Sequence, residues 1–139
     1  MDAIVTTNRA ATLRPAPLLR FALLADSAAS GAVGLLVLLG GPALAGLLGL
    51  PAALLQGAGL LLLPYAAFVW WLSRRDAMPA WWAWTVIGVN LAWVADSALL
   101  LLSGWVAPSG LGVAFVLAQA AAVLGFALLQ WAGLRRSRG

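Results

Sequence analysis

Two aspartates are the only charged residues inside otherwise uncharged apolar stretches. Asp26 is the sole charge between Arg20 and Arg74, and Asp96 the sole charge between Asp76 and Arg135. A carboxyl group in hydrocarbon can bind a proton or a cation, and an ionisable residue at such a position marks a functional site by default. Its cost is real: about 2.5–3.5 kcal/mol for an Asp at a helix centre, against roughly 0.3–0.6 returned by each Leu, Val or Phe. One Asp therefore cancels most of its own helix's drive to insert, so both side chains are expected to turn from lipid toward a shared interior. Burial favours the neutral carboxyl, and a second carboxyl nearby favours it further. With no intramembrane Lys, Arg or His as counter-ion, at least one of the pair is expected to carry its proton at rest. Arg20, six residues from Asp26, is off its face and expected to snorkel to headgroups.

Several polar and aromatic neighbours fall where they can serve these carboxyls. Ser30 lies one helical turn beyond Asp26, and Ser103 two turns beyond Asp96, so either hydroxyl can bond a carboxyl. Trp93 precedes Asp96 by about one turn, an aromatic surface beside a carboxylate that suits an organic cation. Asn90 and Ser97, seven apart, form a second polar stripe. Pro64 is expected to kink its helix and free the carbonyl of Leu60, with Tyr65 following it. Gln119 shares a face with Phe126 and Gln130. The candidate proton- or ligand-binding set is thus Asp26, Asp96, Asn90, Trp93, Ser30, Tyr65 and Gln119.

Other chemistry is excluded by composition. The chain has no His and no Cys, which removes disulfides, thiolate nucleophiles, Ser-His-Asp arrangements and the usual zinc and haem ligands. No catalytic residue, cofactor or metal site is expected; two carboxylates with Asn90 can hold a divalent ion through oxygen, but no DxD or DxxD spacing supports one. An enzyme acting on lipid is disfavoured for the same reasons.

The elements that position these residues follow from hydropathy. Of 139 residues, 64% are hydrophobic and 9% charged, with mean hydropathy +1.01, too little polar surface to cover a soluble globule. The uncharged stretches exceed the ~20 residues that span a bilayer core. The fold class read from this is an all-α integral membrane protein with four transmembrane helices near 17–39, 52–72, 81–106 and 111–133, together a domain over 17–134. Residues 1–16 read as an N-terminal arm and 135–139 as a basic tail, and a cleaved signal peptide is disfavoured by the absence of a polar c-region. The apolar segment 43–50 is expected to lie along an interface after the Gly40–Gly41–Pro42 break.

All eight basic residues are Arg, giving a net charge of +4, and all fall on one side of this arrangement. The positive-inside rule then places both termini and the middle loop in the cytoplasm, in an inner (cytoplasmic) membrane, and no nucleic-acid partner is expected. Trp70, Trp71, Trp81, Trp82, Trp84 and Trp131 fit an interfacial belt on that side and Trp105 the other. The string ADSA occurs at Ala25–Ala28 and again at Ala95–Ala98, which points to a tandem duplication of a two-helix hairpin with parallel repeats.

In size, helix number and an intramembrane carboxylate, the chain resembles small multidrug-resistance exporters in outline. Those centre on a single Glu in the first helix, whereas this chain has one Asp in helix 1 and another in helix 3, and no residue is carried over. The expected function is a proton- or cation-coupled carrier or binder of a small molecule, working as a homodimer in the bilayer. The alternative is a non-catalytic scaffold or lipid-binding subunit of a larger membrane complex.

Overall fold

Proline and glycine punctuate the chain into its elements. The computed structural model describes residues 12–138, so most of the expected N-terminal arm, including Arg9, lies outside the described residues. Four helices follow one another: α1 Pro17–Leu48, α2 Ala52–Ser73, α3 Ala80–Ser103 and α4 Gly110–Arg138. Pro17 opens α1, and Pro51 and Pro79 stand immediately before α2 and α3, where a fixed φ and a missing N–H suit a helix start. Gly49 (φ 67°) and Gly104 (φ 78°) close α1 and α3 in the left-handed region, which a residue without Cβ enters freely. Each helix is long and apolar enough to cross a membrane, and the molecule is a multi-pass membrane protein.

Two expectations are corrected, and one break lies where it was expected. The break expected at Gly40–Gly41–Pro42 is present: Gly41 (φ 45°, ψ −131°) leaves helical geometry and kinks α1, and a second short helical piece runs from there to Leu48. The last helix does not end near 133: α4 continues through Arg138 and takes in most of the basic segment. Arg20 does not reach for headgroups. Its guanidinium donates to the carbonyls of Ser73 (2.8 Å) and Arg75 (3.2 Å), pinning the start of α1 to the end of α2, where helix carbonyls lack partners and carry negative partial charge.

A short antiparallel bridge also forms between β1 (Thr12–Leu13) and β2 (Met78–Pro79). It lays Leu13 and Met78 over a core of Leu19, Leu23, Val69, Leu72, Val86, Ile87 and Leu134. At this end Arg74 sits over Trp70 (5.2 Å), Arg75 over Trp71 (5.0 Å) and Arg135 over Trp131 (4.9 Å), all four residues apart on one helix face. The opposite end is closed by Ser109, whose N–H and Oγ–H donate to the last carbonyls of α1 while its Oγ accepts the Gly112 N–H at the start of α4.

Around the bundle, α1 packs on α2 and α4, and α4 packs on α3. Gly133 permits the α1–α4 approach: a Cβ there would stand 2.5 Å from the Leu19 backbone nitrogen. The fourth pair is different. Phe68 and Trp71 meet Trp82 near the arginine-bearing end and Tyr65 bonds Asn90, but beyond that level α2 and α3 do not pack, and a cleft separates them.

Candidate functional site

Each helix delivers one polar side chain to the same level. Asp26 stands nine residues into α1, Tyr65 eight before the end of α2, Asn90 ten into α3 and Gln130 eight before the end of α4. At ~1.5 Å per residue these are all about 12–15 Å from the arginine-bearing ends, near the middle of an ~30 Å hydrocarbon core. Asp26 and Gln130 are fully buried, Asn90 nearly so.

Asp26 Oδ2 accepts from the Tyr65 hydroxyl (2.8 Å), Asn90 Nδ2 (2.9 Å) and Gln130 Nε2 (2.8 Å). Its Oδ1 accepts from Ser30 Oγ (3.0 Å). Asn90 Nδ2 also donates to Gln130 Oε1 (2.9 Å), and Tyr65 Oη also lies 2.8 Å from Asn90 Oδ1. No cation joins them: among the described residues no ion pair forms, and no buried side-chain polar atom is left without a partner.

Proton counting shows what this arrangement can do. The network holds six contacts. Ser30 and Tyr65 supply one hydrogen each, Asn90 two and Gln130 one, so an ionised Asp26 leaves one contact unfilled. The unfilled one is at Tyr65, whose single hydrogen serves Asp26 or Asn90 but not both. A proton on Asp26 Oδ2 fills it: the carboxyl then donates to Tyr65 Oη, and Tyr65 donates to Asn90 Oδ1. The ionised form instead keeps four donors on the carboxylate, which stabilise negative charge without a counter-ion. The same side chains thus accommodate both states by turning one hydroxyl.

A cavity of about 300 Å³ lies against this network, lined by Ser30, Tyr65, Asn90, Trp93, Gln119 and Phe126 among apolar neighbours. Asp26 itself stands behind Tyr65, Asn90 and Ser30 and does not reach the cavity wall. Trp93 and Gln119 form a second cluster on the far side: Trp93 Nε1 donates to Gln119 Oε1 (2.6 Å), and Gln119 Nε2 donates to Ser97 Oγ (3.0 Å). Beyond them opens the α2–α3 cleft, of about 1040 Å³, sharing Val33, Leu61, Leu62, Trp93 and Gln119 with the smaller cavity. On the arginine-bearing side the cluster around Leu19, Leu23, Leu72 and Leu134 closes the bundle.

The two aspartates are not a pair. Asp96 is exposed, lines the cleft, and makes no hydrogen bond or ion pair among the described residues. The physical reason is helical phase: Asn90 and Ser97, seven apart, share the buried face of α3, while Asp96, six beyond Asn90, is turned about 120° from it. Ser103 does not bond Asp96; its hydroxyl donates to the Leu100 carbonyl and accepts the Trp105 N–H. The helix α2 runs continuously through Pro64.

Gln130 is the one network member that the residue types and spacing do not single out. Ending helix 4 at 133 puts Gln130 within a turn of the interface, where a glutamine is unremarkable. The structure instead buries it fully, with its amide on Asp26. Its signal was the eleven-residue spacing from Gln119, three helical turns along one face. Comparison with family models, with curated proteins and with solved structures gives no match for this chain.

Proposed function

We propose that the protein is a small carrier or binder in a cytoplasmic membrane, with the Asp26 network as its protonatable centre and the adjoining cavity as its small-molecule site. The observation that carries this reading is the hydroxyl of Tyr65, 2.8 Å from both Asp26 and Asn90. The hydroxyl bonds the buried carboxyl and its residue lines the cavity, so occupancy of the cavity and the proton on Asp26 act on the same side chain. The cavity volume is at the lower end of that of small-ligand pockets. The arginines at one end support an orientation with both termini and the α2–α3 turn in the cytoplasm.

A second reading has an observation of its own. Asp26 is wholly buried and bonds to side chains of the other three helices, so the network can serve as a tie in a non-transporting scaffold. Interhelical hydrogen bonds in membranes contribute only ~0.6–2 kcal/mol each, a modest return for a buried carboxyl. The two readings separate in liposomes carrying a pH gradient and an internal pH dye. The carrier reading predicts that the wild type dissipates the gradient faster than empty liposomes and that Asp26→Asn does not. Equal rates for wild type, variant and empty liposomes contradict it and favour the tie.

A further inference from the structure

We propose that the α2–α3 cleft is a second site, taking a monovalent amphiphilic cation from the bilayer, with Asp96 as the counter-ion for its ammonium head. The inference rests on the reading of the molecule as a binder of small molecules and names the class that enters from the membrane side.

Three observations converge on this cleft. Asp96 is its only charged lining residue, unpaired and exposed within a membrane-spanning helix. An uncompensated carboxylate at such a depth is costly, a cost that a cationic head relieves and a neutral or anionic one does not. The remaining wall is almost wholly apolar, with Leu60, Leu61, Leu99 and Leu102 exposed along its two lips, so the occupant carries a tail. Trp93 and Trp105 line the same cleft about one turn and two to three turns from Asp96, and indole faces attract quaternary ammonium groups. The opening is lateral because α2 and α3 do not pack together above Tyr65 and Asn90. Charge complementarity therefore selects the occupant: one negative charge, one positive head, a hydrocarbon tail.

The test uses the whole chain in nanodiscs of zwitterionic lipid, with radiolabelled decyltrimethylammonium in equilibrium dialysis and empty nanodiscs as the blank. Saturable uptake is expected, falling about tenfold or more in Asp96→Asn. Decyl sulfonate, with the same tail and opposite charge, is expected not to bind. Asp96 makes no contact on which folding depends, so the variant remains readable. Three results overturn the inference: equal uptake by Asp96→Asn, equal uptake of the sulfonate, or exclusion of the probe by a second copy, seen as Leu99→Cys cross-linking between chains. The Asp26→Asn variant keeps the two proposals apart. If it binds the cation while proton flux never depended on Asp26, the cleft site stands and the carrier reading falls. If flux depends on Asp26 while Asp96→Asn binds as wild type, the reverse holds.

Discussion

Asp26→Leu is expected to lower stability by roughly 2–6 kcal/mol, while Asp26→Asn stays within about 1 kcal/mol of wild type. The difference follows from which donors are stranded. Without the carboxyl, Tyr65 still has Asn90 Oδ1 and Ser30 can turn to a backbone carbonyl of its own helix. One N–H of Asn90 and one of Gln130 lose their acceptor in a buried place. Each orphan costs about 1–3 kcal/mol. The lower half of the range is the expected one, because in a membrane the unfolded reference state also finds partners. Asparagine keeps an acceptor for both amides and can donate to Ser30 Oγ. Midpoints of thermal unfolding in detergent read the contrast directly, and a leucine variant as stable as wild type contradicts the network as drawn.

Tyr65→Phe is expected to slow proton entry about a hundredfold, the lower bound typical for a positioned proton-transfer group. Asp26 has no exposure of its own; Tyr65 and Ser30 both bond it and line the cavity, and Tyr65 is the one of the two that also reaches Asn90. The phenylalanine ring keeps the packing and leaves Asn90 Oδ1 without its donor, so the stability cost is about 1–3 kcal/mol. Dye-reported flux in liposomes separates the two effects: a folded variant with wild-type flux shows that Ser30 or Asn90 carries the proton instead.

The four spans were legible because uncharged runs bounded by arginines and prolines leave little choice of register. Their ends were not, and the errors mattered for the site. Gln130, five residues before Arg135, reads as near-interfacial, yet it is fully buried against Asp26. The break at Gly40–Gly41–Pro42 was legible, and the backbone does leave helical geometry at Gly41; that the piece after it is helical through Leu48 was not. Asp26 was legible as an inward residue, since Leu19, Leu23 and Ser30 repeat on its face. Asp96 was misread through its likeness to Asp26. The shared ADSA string implied a shared environment, but environment follows helical phase, and the phase of α3 is set by Asn90 and Ser97. Tyr65 and Asn90 were recognisable as polar groups at the right depth. That they meet one carboxyl depends on how four helices rotate about their axes, which no local pattern encodes. The β1–β2 bridge, two residues on each strand, is too short to leave any periodic trace.

The most direct measurement is infrared difference spectroscopy of the protein in lipid as pH is cycled, following the C=O stretch of protonated carboxyls. Reversible loss and return of one such band, missing in Asp26→Asn and retained in Asp96→Asn, is the predicted result. A spectrum in which no band assigned to Asp26 responds to pH would mean that its protonation state is locked, and would contradict a protonatable centre at the heart of the bundle.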